Sequence, residues 1–301
     1  MLKVLITGVR GFTGRYLAAE LNANGYEVFG VVHSTLDSDS AGMQNFYACD
    51  LGDTIGLAQV IEKVQPDMIV HLAGIAFVAH GDVDTIYQTN LLGTRNLLEA
   101  LVRVNIPIKA VLLASSANVY GNARGGQLTE ATVPAPANDY AVSKLAMEYM
   151  AGLYADRLPI IIARPFNYTG VGQSENFLLP KIVNHIRRRA PVIELGNLDV
   201  ARDFSDVRRV VHYYRRLLET PAAIGETFNV CSGRAYTLEE VLDKACSIAE
   251  YAIEVKVNPA FVRENELKKL IGSRAKLESV VGAVPDIPLD ETLRWMIASS
   301  E

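Results

Sequence analysis

The stretch Val4-Leu-Ile-Thr-Gly8-Val-Arg-Gly11-Phe-Thr-Gly14 decides the fold of this chain. A short apolar, β-branched run ends on a glycine, and the last glycine of the set opens an amphipathic run over residues 14–24. A strand that turns on glycine straight into a helix is the opening unit of a dinucleotide-binding α/β sheet. The glycines let the backbone turn tightly and leave the helix N-terminus open to a pyrophosphate. The spacing is GxxGxxG rather than GxGxxG, so the position directly after an N-terminal strand carries the reading.

Working outward, the first half alternates strand-like and helix-like runs. The strands are expected over residues 4–7, 28–32, 46–49, 68–72, 110–114 and 159–163, and the helices over 14–24, 55–64, 84–104 and 139–155. The strand runs are apolar throughout rather than alternating, which indicates a parallel sheet covered on both faces. The expected fold is therefore α/β, a Rossmann-type doubly wound parallel sheet with a smaller C-terminal lobe. The dinucleotide domain is expected over 1–165, with a return segment at about 205–231, and the lobe over 166–204 and 232–301. Beyond residue 165, a short helix is expected at 179–189, a strand at 227–230 in the return segment, a helix at 238–249, a strand at 253–257 and a last helix at 289–298.

Composition narrows the function classes. The chain has 301 residues, half of them hydrophobic, and a formal charge of −5 with acids and bases interspersed. That suits a large core and gives no footprint for a nucleic-acid partner. No apolar run reaches the length of a membrane span. Cys49, Cys231 and Cys246 show no metal-like spacing and cannot all pair, so a reduced, cytoplasmic setting without a metal is expected.

Candidate cofactor residues follow from the expected strand ends. Gly8, Arg10, Gly11, Phe12, Thr13 and Gly14 form the loop. The second strand ends Val31-Val32-His33-Ser34-Thr35, with no acid before Asp37 to bond a ribose 2′-hydroxyl, whereas Arg10 could reach a 2′-phosphate. The expectation is NADP (NADPH), with NAD the alternative if Arg10 is merely solvated and Asp37 takes the ribose. His33 could bond the phosphate or face water. Asp50 and Leu51 suit the adenine edge, although Asp50 could equally cap a helix. Leu72, Ala73 and Gly74 offer close backbone approach after the fourth strand.

Chemistry is concentrated in Asn138-Asp-Tyr140-Ala-Val-Ser-Lys144. Tyr140 and Lys144 fall on one helix face. A nearby ammonium favours the phenolate, so Lys144 is expected to lower the Tyr140 pKa. A Ser115-Ser116 pair ends the strand upstream.

With Asp50-Leu51, His71-Leu-Ala-Gly74, Asn90-Leu-Leu-Gly-Thr-Arg-Asn96, Ser115-Ser-Ala-Asn-Val-Tyr-Gly121 and Tyr140-x-x-x-Lys144 in order, the chain resembles an extended short-chain dehydrogenase/reductase acting on nucleotide sugars. The resemblance implies a Ser116–Tyr140–Lys144 triad, with Ser115 the neighbouring candidate and Asn90 structural. The 4,6-dehydratases of this family carry acidic groups directly after the triad Ser or Thr, where this chain has Ala117 and Asn118. The GDP-fucose synthases use a Cys and a His where it has Ala117 and Phe177. Both activities are therefore set aside.

The segments 196–204 and 263–273, with Ala163-Arg-Pro-Phe-Asn167, resemble GDP-mannose 4,6-dehydratases and GDP-4-keto-6-deoxy-D-mannose reductases. The chain lacks their usual Gly-Trp near Val281-Gly282. The resemblance implies Arg202 and Arg263 on a diphosphate and Glu266 on a ribose or guanine edge. Asn118, Asn167, Asn176 and Lys181 are further substrate candidates, while Arg187–Arg189 is read as a solvated helix face. The implied activity is NADPH-dependent reduction at C4 of a GDP-linked 4-keto-6-deoxy sugar, GDP-4-keto-6-deoxy-D-mannose to GDP-D-rhamnose. A nucleotide-sugar 4-epimerase with bound NAD and a noncatalytic NADP-sensing regulator are the alternatives. A homodimer is expected through the helices at 84–104 and 139–155, with Leu98, Leu101, Met147 and Met150 as apolar candidates.

Overall fold

The computed structural model describes residues 1–33, 45–76, 82–121, 123, 126–198, 200–261 and 269–299. Strand β1 (Lys3–Thr7) ends at Gly8, whose φ of 71° takes the chain out of the sheet. Helix α1 (Phe12–Ala23), β2 (Glu27–Val32), β3 (Phe46–Ala48), α2 (Thr54–Val64) and β4 (Met68–His71) complete the first half of the sheet. Then come α3 (Val83–Tyr87), a π-helical turn (Gln88–Gly93), α4 (Thr94–Val104), β5 (Ala110–Ala114), α5 (Asp139–Gly152) and β6 (Ile160–Pro165).

The lobe begins with β7 (Asn167–Thr169), α6 (Leu178–Arg187), β8 (Val192–Leu195) and β9 (Ala201–Asp206). The chain returns to the sheet with α7 (Val207–Glu219) and β10 (Thr227–Val230). It finishes with β11 (Ala235–Thr237), α8 (Leu238–Ala249), β12 (Glu254–Val257), β13 (Lys269–Leu270), α9 (Ala275–Val281) and α10 (Leu289–Ala298).

Seven strands form the main sheet in the order β10-β6-β5-β4-β1-β2-β3, all parallel. The winding reverses between β1 and β4, which pair with Thr7 opposite His71. A crevice opens above the carboxyl ends of strands at such a point. Alternate residues face opposite layers, and both faces are apolar. Val4, Ile6, Val70 and Leu112 pack toward α1 and α7, while Leu5, Ile69, Val111 and Leu113 pack toward α2, α4 and α5. The lobe has its own core of α6, α8 and α10 residues, including Leu179, Ile182, Val241 and Leu293.

Three expectations change. The single helix expected over 84–104 is broken by the π-helical turn, because fully buried Asn90 points inward and Gly93 must lie against Leu51. A π-bulge admits the extra residue that such an inward side chain needs. Leu98, Leu101 and Met147 are core residues at 0–1% exposure, so they are not interface candidates. Helix α6 stops at Arg187. Arg189 has a φ of 50° and stacks on Tyr251, and Arg188 pairs with Glu175, so the three arginines share no helix face. All three cysteines are free, and no helix among the described residues is long and apolar enough to cross a membrane.

Asp206 joins sheet and lobe. Its buried carboxylate caps α7, accepting from the Arg208 N–H at 2.8 Å, and also accepts from the Arg208 guanidinium and from Thr292 of α10 at 2.8 Å. Asp206→Ala leaves these donors without their acceptor and is expected to cost about 2–4 kcal/mol. Urea unfolding followed by circular dichroism checks it, and an unchanged midpoint would remove Asp206 from this role.

Candidate functional site

The glycine loop is shaped for an anion. A Cβ on Gly14 would lie 2.3 Å from the Gly8 carbonyl oxygen, and one on Gly8 would lie 2.7 Å from the Ala73 nitrogen. Gly11 caps α1 without a side-chain bond, which leaves the first-turn N–H groups to whatever sits above them. Backbone this close to β4, below an uncapped helix start, fits a dinucleotide pyrophosphate. Thr13 Oγ1 bonds the Tyr168 hydroxyl at 2.8 Å, and Phe12 stacks on the Tyr168 ring. Tyr168 is a site residue that the sequence reading did not single out.

The other cofactor candidates gather at two places. At the ends of β2 and β3, His33 Nδ1 and Asp50 Oδ2 pair at 3.1 Å, both largely exposed. Arg10 lies over the Phe46 ring. Asp50 is not the helix cap; Asp53 takes that position, accepting from Gly56 N–H at 2.9 Å. Leu51 accepts from Asn96 Nδ2 at 2.9 Å. Asp37 lies outside the described residues. The second place is the strap after β4, residues 72–75. A Cβ on Gly74 would meet Asn90 Oδ1 at 2.9 Å and Lys144 Nζ at 3.3 Å, so the strap runs directly beside the lysine.

The triad candidates meet at the carboxyl end of β5. Asn138 caps α5, accepting from Ala141 N–H at 2.9 Å, and this starts the helix that places Tyr140 and Lys144 one turn apart. Ser116 faces the Tyr140 phenol as a hydrogen-bond partner, whereas Ser115 donates to Glu148 on the other side of the strand end. The geometry thus separates two serines that the sequence left adjacent. Asn118, next along, is exposed.

Charge in the site differs from expectation. Burial pushes the Tyr140 phenol up to about 12, the Ser116 hydrogen bond pulls it down, and Tyr168 adds to the rise. The expected lowering by Lys144 does not appear. Its Nζ is turned onto the Ala114 carbonyl at 2.9 Å, and burial brings its own pKa down to about 8, with Glu148 opposing. Desolvation is the largest cause of both shifts.

Behind the triad lies a polar network that the sequence reading missed. Glu148 sits four residues beyond Lys144, on the same helix face. It receives a two-pronged bond from Arg164 at 2.9 and 2.6 Å, and Arg164 also donates to Tyr120 at 3.0 Å. Tyr120 donates to Asn229 of β10 at 2.7 Å. The i, i+4 spacing of Lys144 and Glu148 was the available signal; the partner on β6 was not.

The substrate candidates lie toward the lobe. Asn167 is exposed and reaches the Asp203 carbonyl at 3.4 Å. Arg202 is on the neighbouring β9, opposite Tyr236 and Leu270. Lys181 donates to the Glu194 carbonyl at 2.7 Å and lies 4.5 Å from the Phe261 ring centre, and Asn176 is exposed before α6. Arg263 and Glu266 fall outside the described residues.

Glu148 raises the Lys144 pKa, so Glu148→Gln lowers it further. Activity that needs the ammonium is present below the Lys144 pKa and lost as pH rises through it, near 8 in the wild type. The basic limb of kcat/KM is therefore expected to move to lower pH in the variant. A folded Glu148→Gln protein with an unmoved limb would disprove the coupling.

The chain matches the family described as GDP-mannose 4,6 dehydratase over residues 5–296. It is 36% identical to the GDP-6-deoxy-D-talose 4-dehydrogenase of Aggregatibacter actinomycetemcomitans, over 93% of this chain and 92% of that one. It is 34% identical to the GDP-6-deoxy-D-mannose reductase of Pseudomonas aeruginosa, over 99% and 97% of the two chains. The solved complex of that reductase with NADPH superposes with a TM-score of 0.87, at 32% identity over 99% of this chain and 98% of that one. A Burkholderia cenocepacia J2315 protein, provisionally named an epimerase, superposes with a TM-score of 0.90 at 53% identity, over 98% and 97%. The chain therefore belongs to the GDP-mannose 4,6-dehydratase family of short-chain dehydrogenases/reductases, NAD(P)-dependent oxidoreductases on a Rossmann-type sheet.

Proposed function

We propose that this protein is an NADPH-dependent reductase of the C4 keto group of a GDP-4-keto-6-deoxy-hexose, forming GDP-D-rhamnose from GDP-4-keto-6-deoxy-D-mannose. The observation that carries the reading is the Ser116–Tyr140 pair beside buried Lys144, at the same end of the sheet as the glycine loop. Two relatives are named for GDP-linked 6-deoxy sugars, one of them as a 4-dehydrogenase. Despite the family's name, Ala117 and Asn118 stand where a 4,6-elimination needs its acid and base.

Gly8, Gly11, Phe12, Thr13 and Gly14 would hold the pyrophosphate. Arg10, His33, Asp50 and Leu51 would hold the adenosine end, and Leu72, Ala73, Gly74, Tyr140 and Lys144 the nicotinamide ribose. When bound, NADPH supplies the hydride that C4 gains. Tyr140 gives its proton to the C4 oxygen as negative charge grows there, and Ser116 bonds and orients that oxygen. Burial keeps the phenol protonated at neutral pH, the form a proton donor needs. On the sugar-nucleotide side, Arg202 and Arg263 would hold the diphosphate. Glu266, Asn176 and Lys181 would face the nucleoside, with Asn118 and Asn167 nearer the sugar.

A second reading keeps every residue and changes only the face of attack. The talose-named relative points to a GDP-6-deoxy-D-talose product, the C4 epimer. Proton NMR of the product made from GDP-4-keto-6-deoxy-D-mannose and NADPH separates them. Large couplings of H4 to both H3 and H5 mean rhamnose, and small ones mean talose. Stoichiometric NADPH consumption is expected; no consumption with this ketone, together with interconversion of the C4 epimers of a GDP-hexose that carries a C4 hydroxyl, would move the 4-epimerase to first place. Tyr140→Phe should lower kcat by roughly 100-fold or more while NADPH still binds. Near wild-type turnover would overturn the assignment of the acid.

Two copies would pair through the outer face of α4 and α5. Leu153 is 76% exposed there and Tyr149 72%, beside partly exposed Leu92 and Val142. Exposed apolar side chains of this kind suit a two-fold interface. Sedimentation at micromolar concentration is expected to show a dimer, and a monomer would discard the pairing.

A further inference from the structure

His71 is a buried residue at the end of β4 that the mechanism above does not use. It is 1% exposed, and both ring nitrogens are engaged by hydroxyls, Nδ1 by Thr7 Oγ1 at 2.6 Å and Nε2 by Thr94 Oγ1 at 2.9 Å. Each hydroxyl has a second partner that fixes the direction of its proton. Thr94 donates to the Asn90 carbonyl at 2.8 Å, so its oxygen must receive from His71 Nε2–H. Thr7 receives the Ala73 N–H at 3.3 Å, which leaves its own proton for Nδ1. Among neutral rings, one arrangement satisfies all four bonds: an imidazole with its proton on Nε2. Burial and the neighbouring Lys144 charge also disfavour a second proton, bringing the ring pKa down to about 3.

The bonds do not stop at the hydroxyls. Thr7 holds the strap through Ala73. Thr94 holds the π-helical turn at Asn90, whose side chain accepts from Ile75 N–H at 2.9 Å and donates to the Ile75 carbonyl at 3.2 Å and to Ser143 Oγ at 3.1 Å. Ser143 in turn donates to the Tyr140 carbonyl at 2.8 Å. A continuous set of bonds therefore joins the strap, the π-turn and the first turn of the catalytic helix, and the rigid imidazole spans its middle.

We propose that His71 is a positioning residue that, as the Nε2–H tautomer, sets the spacing between the cofactor strap at residues 72–75 and the catalytic phenol of Tyr140. The proposal rests on the cofactor reading of this cleft but not on the identity of the sugar. Two of its consequences can be measured without any sugar present.

The first is a spectroscopic signature. Nitrogen-15 NMR of histidine-labelled protein, with His71 assigned as the signal that remains when His33, His80, His185 and His212 are each replaced by Gln, should show a neutral Nε2–H ring that does not titrate between pH 6 and 8, roughly the range where a free histidine changes charge. An Nδ1–H ring, or titration in that range, overturns the proposal even if His71→Gln does not fold.

The second is a split between affinity and stability. His71→Gln can still donate toward Thr94 but offers Thr7 no ring nitrogen. It should weaken NADPH binding by roughly ten-fold in calorimetry. Leu57→Ala, a core change away from the strap, should lower the melting temperature at least as much while leaving NADPH affinity unchanged. A folded His71→Gln protein that binds NADPH as tightly as the wild type overturns the positioning role. A product other than rhamnose in the NMR experiment above would change the substrate reading and leave this one standing.

Discussion

A buried ammonium organises this molecule. Lys144 is 6% exposed at the carboxyl end of the sheet. A charge there is tolerated only with compensating partners, because desolvation alone would cost several kcal/mol or more. The Ala114 carbonyl supplies one partner, and Glu148, a turn further along the helix, supplies the opposite charge. Glu148 is itself buried and needs Arg164, Arg164 needs Tyr120, and Tyr120 needs Asn229. The ends of β5, β6 and β10 are thus held in one arrangement by the consequences of placing one lysine. The same requirement turns Ser115 inward to Glu148 and leaves Ser116 facing the phenol.

The crevice lies where it does because of close backbone contact. Gly8 and Ala73 approach so nearly that no Cβ fits between them, and the winding reverses at this pair of strands. Loop, strap and triad therefore share one cleft. Because Tyr140 and Lys144 are both buried, they are displaced in opposite senses, the phenol upward and the lysine downward.

The lobe is joined to the sheet by carboxylates rather than by apolar packing alone. Asp206 spans α7 and α10, and fully buried Asp203 accepts from Ser232 N–H and Oγ, Gly233 N–H and Gly272 N–H. Asp203 thereby fixes β9, on which Arg202 sits, against the turn after β10 and the end of β13. Burial raises its pKa and these four bonds lower it. The strand carrying a diphosphate candidate is thus held from beneath by a charge that is itself hidden from water.

Much of the outline was legible in the residues. Glycine spacing after a strand, apolar runs of strand length and two polar residues one helical turn apart are local patterns, set by backbone geometry within a few residues. They gave the parallel sheet, the loop and the Tyr140–Lys144 pair. Strands β7, β11 and β13 have only two or three residues, too few to show a period, and they exist because β9 pairs with all three. The Ser115–Glu148 bond, the Glu148–Arg164 bond, the Tyr120–Asn229 bond across 109 residues and the inward turn of Asn90 likewise came only with the fold. The sign of the Tyr140 pKa shift did too. Sequence neighbours determine which groups share a helix face, but whether those groups keep their water depends on distant chain packed around them, and desolvation decides their charge.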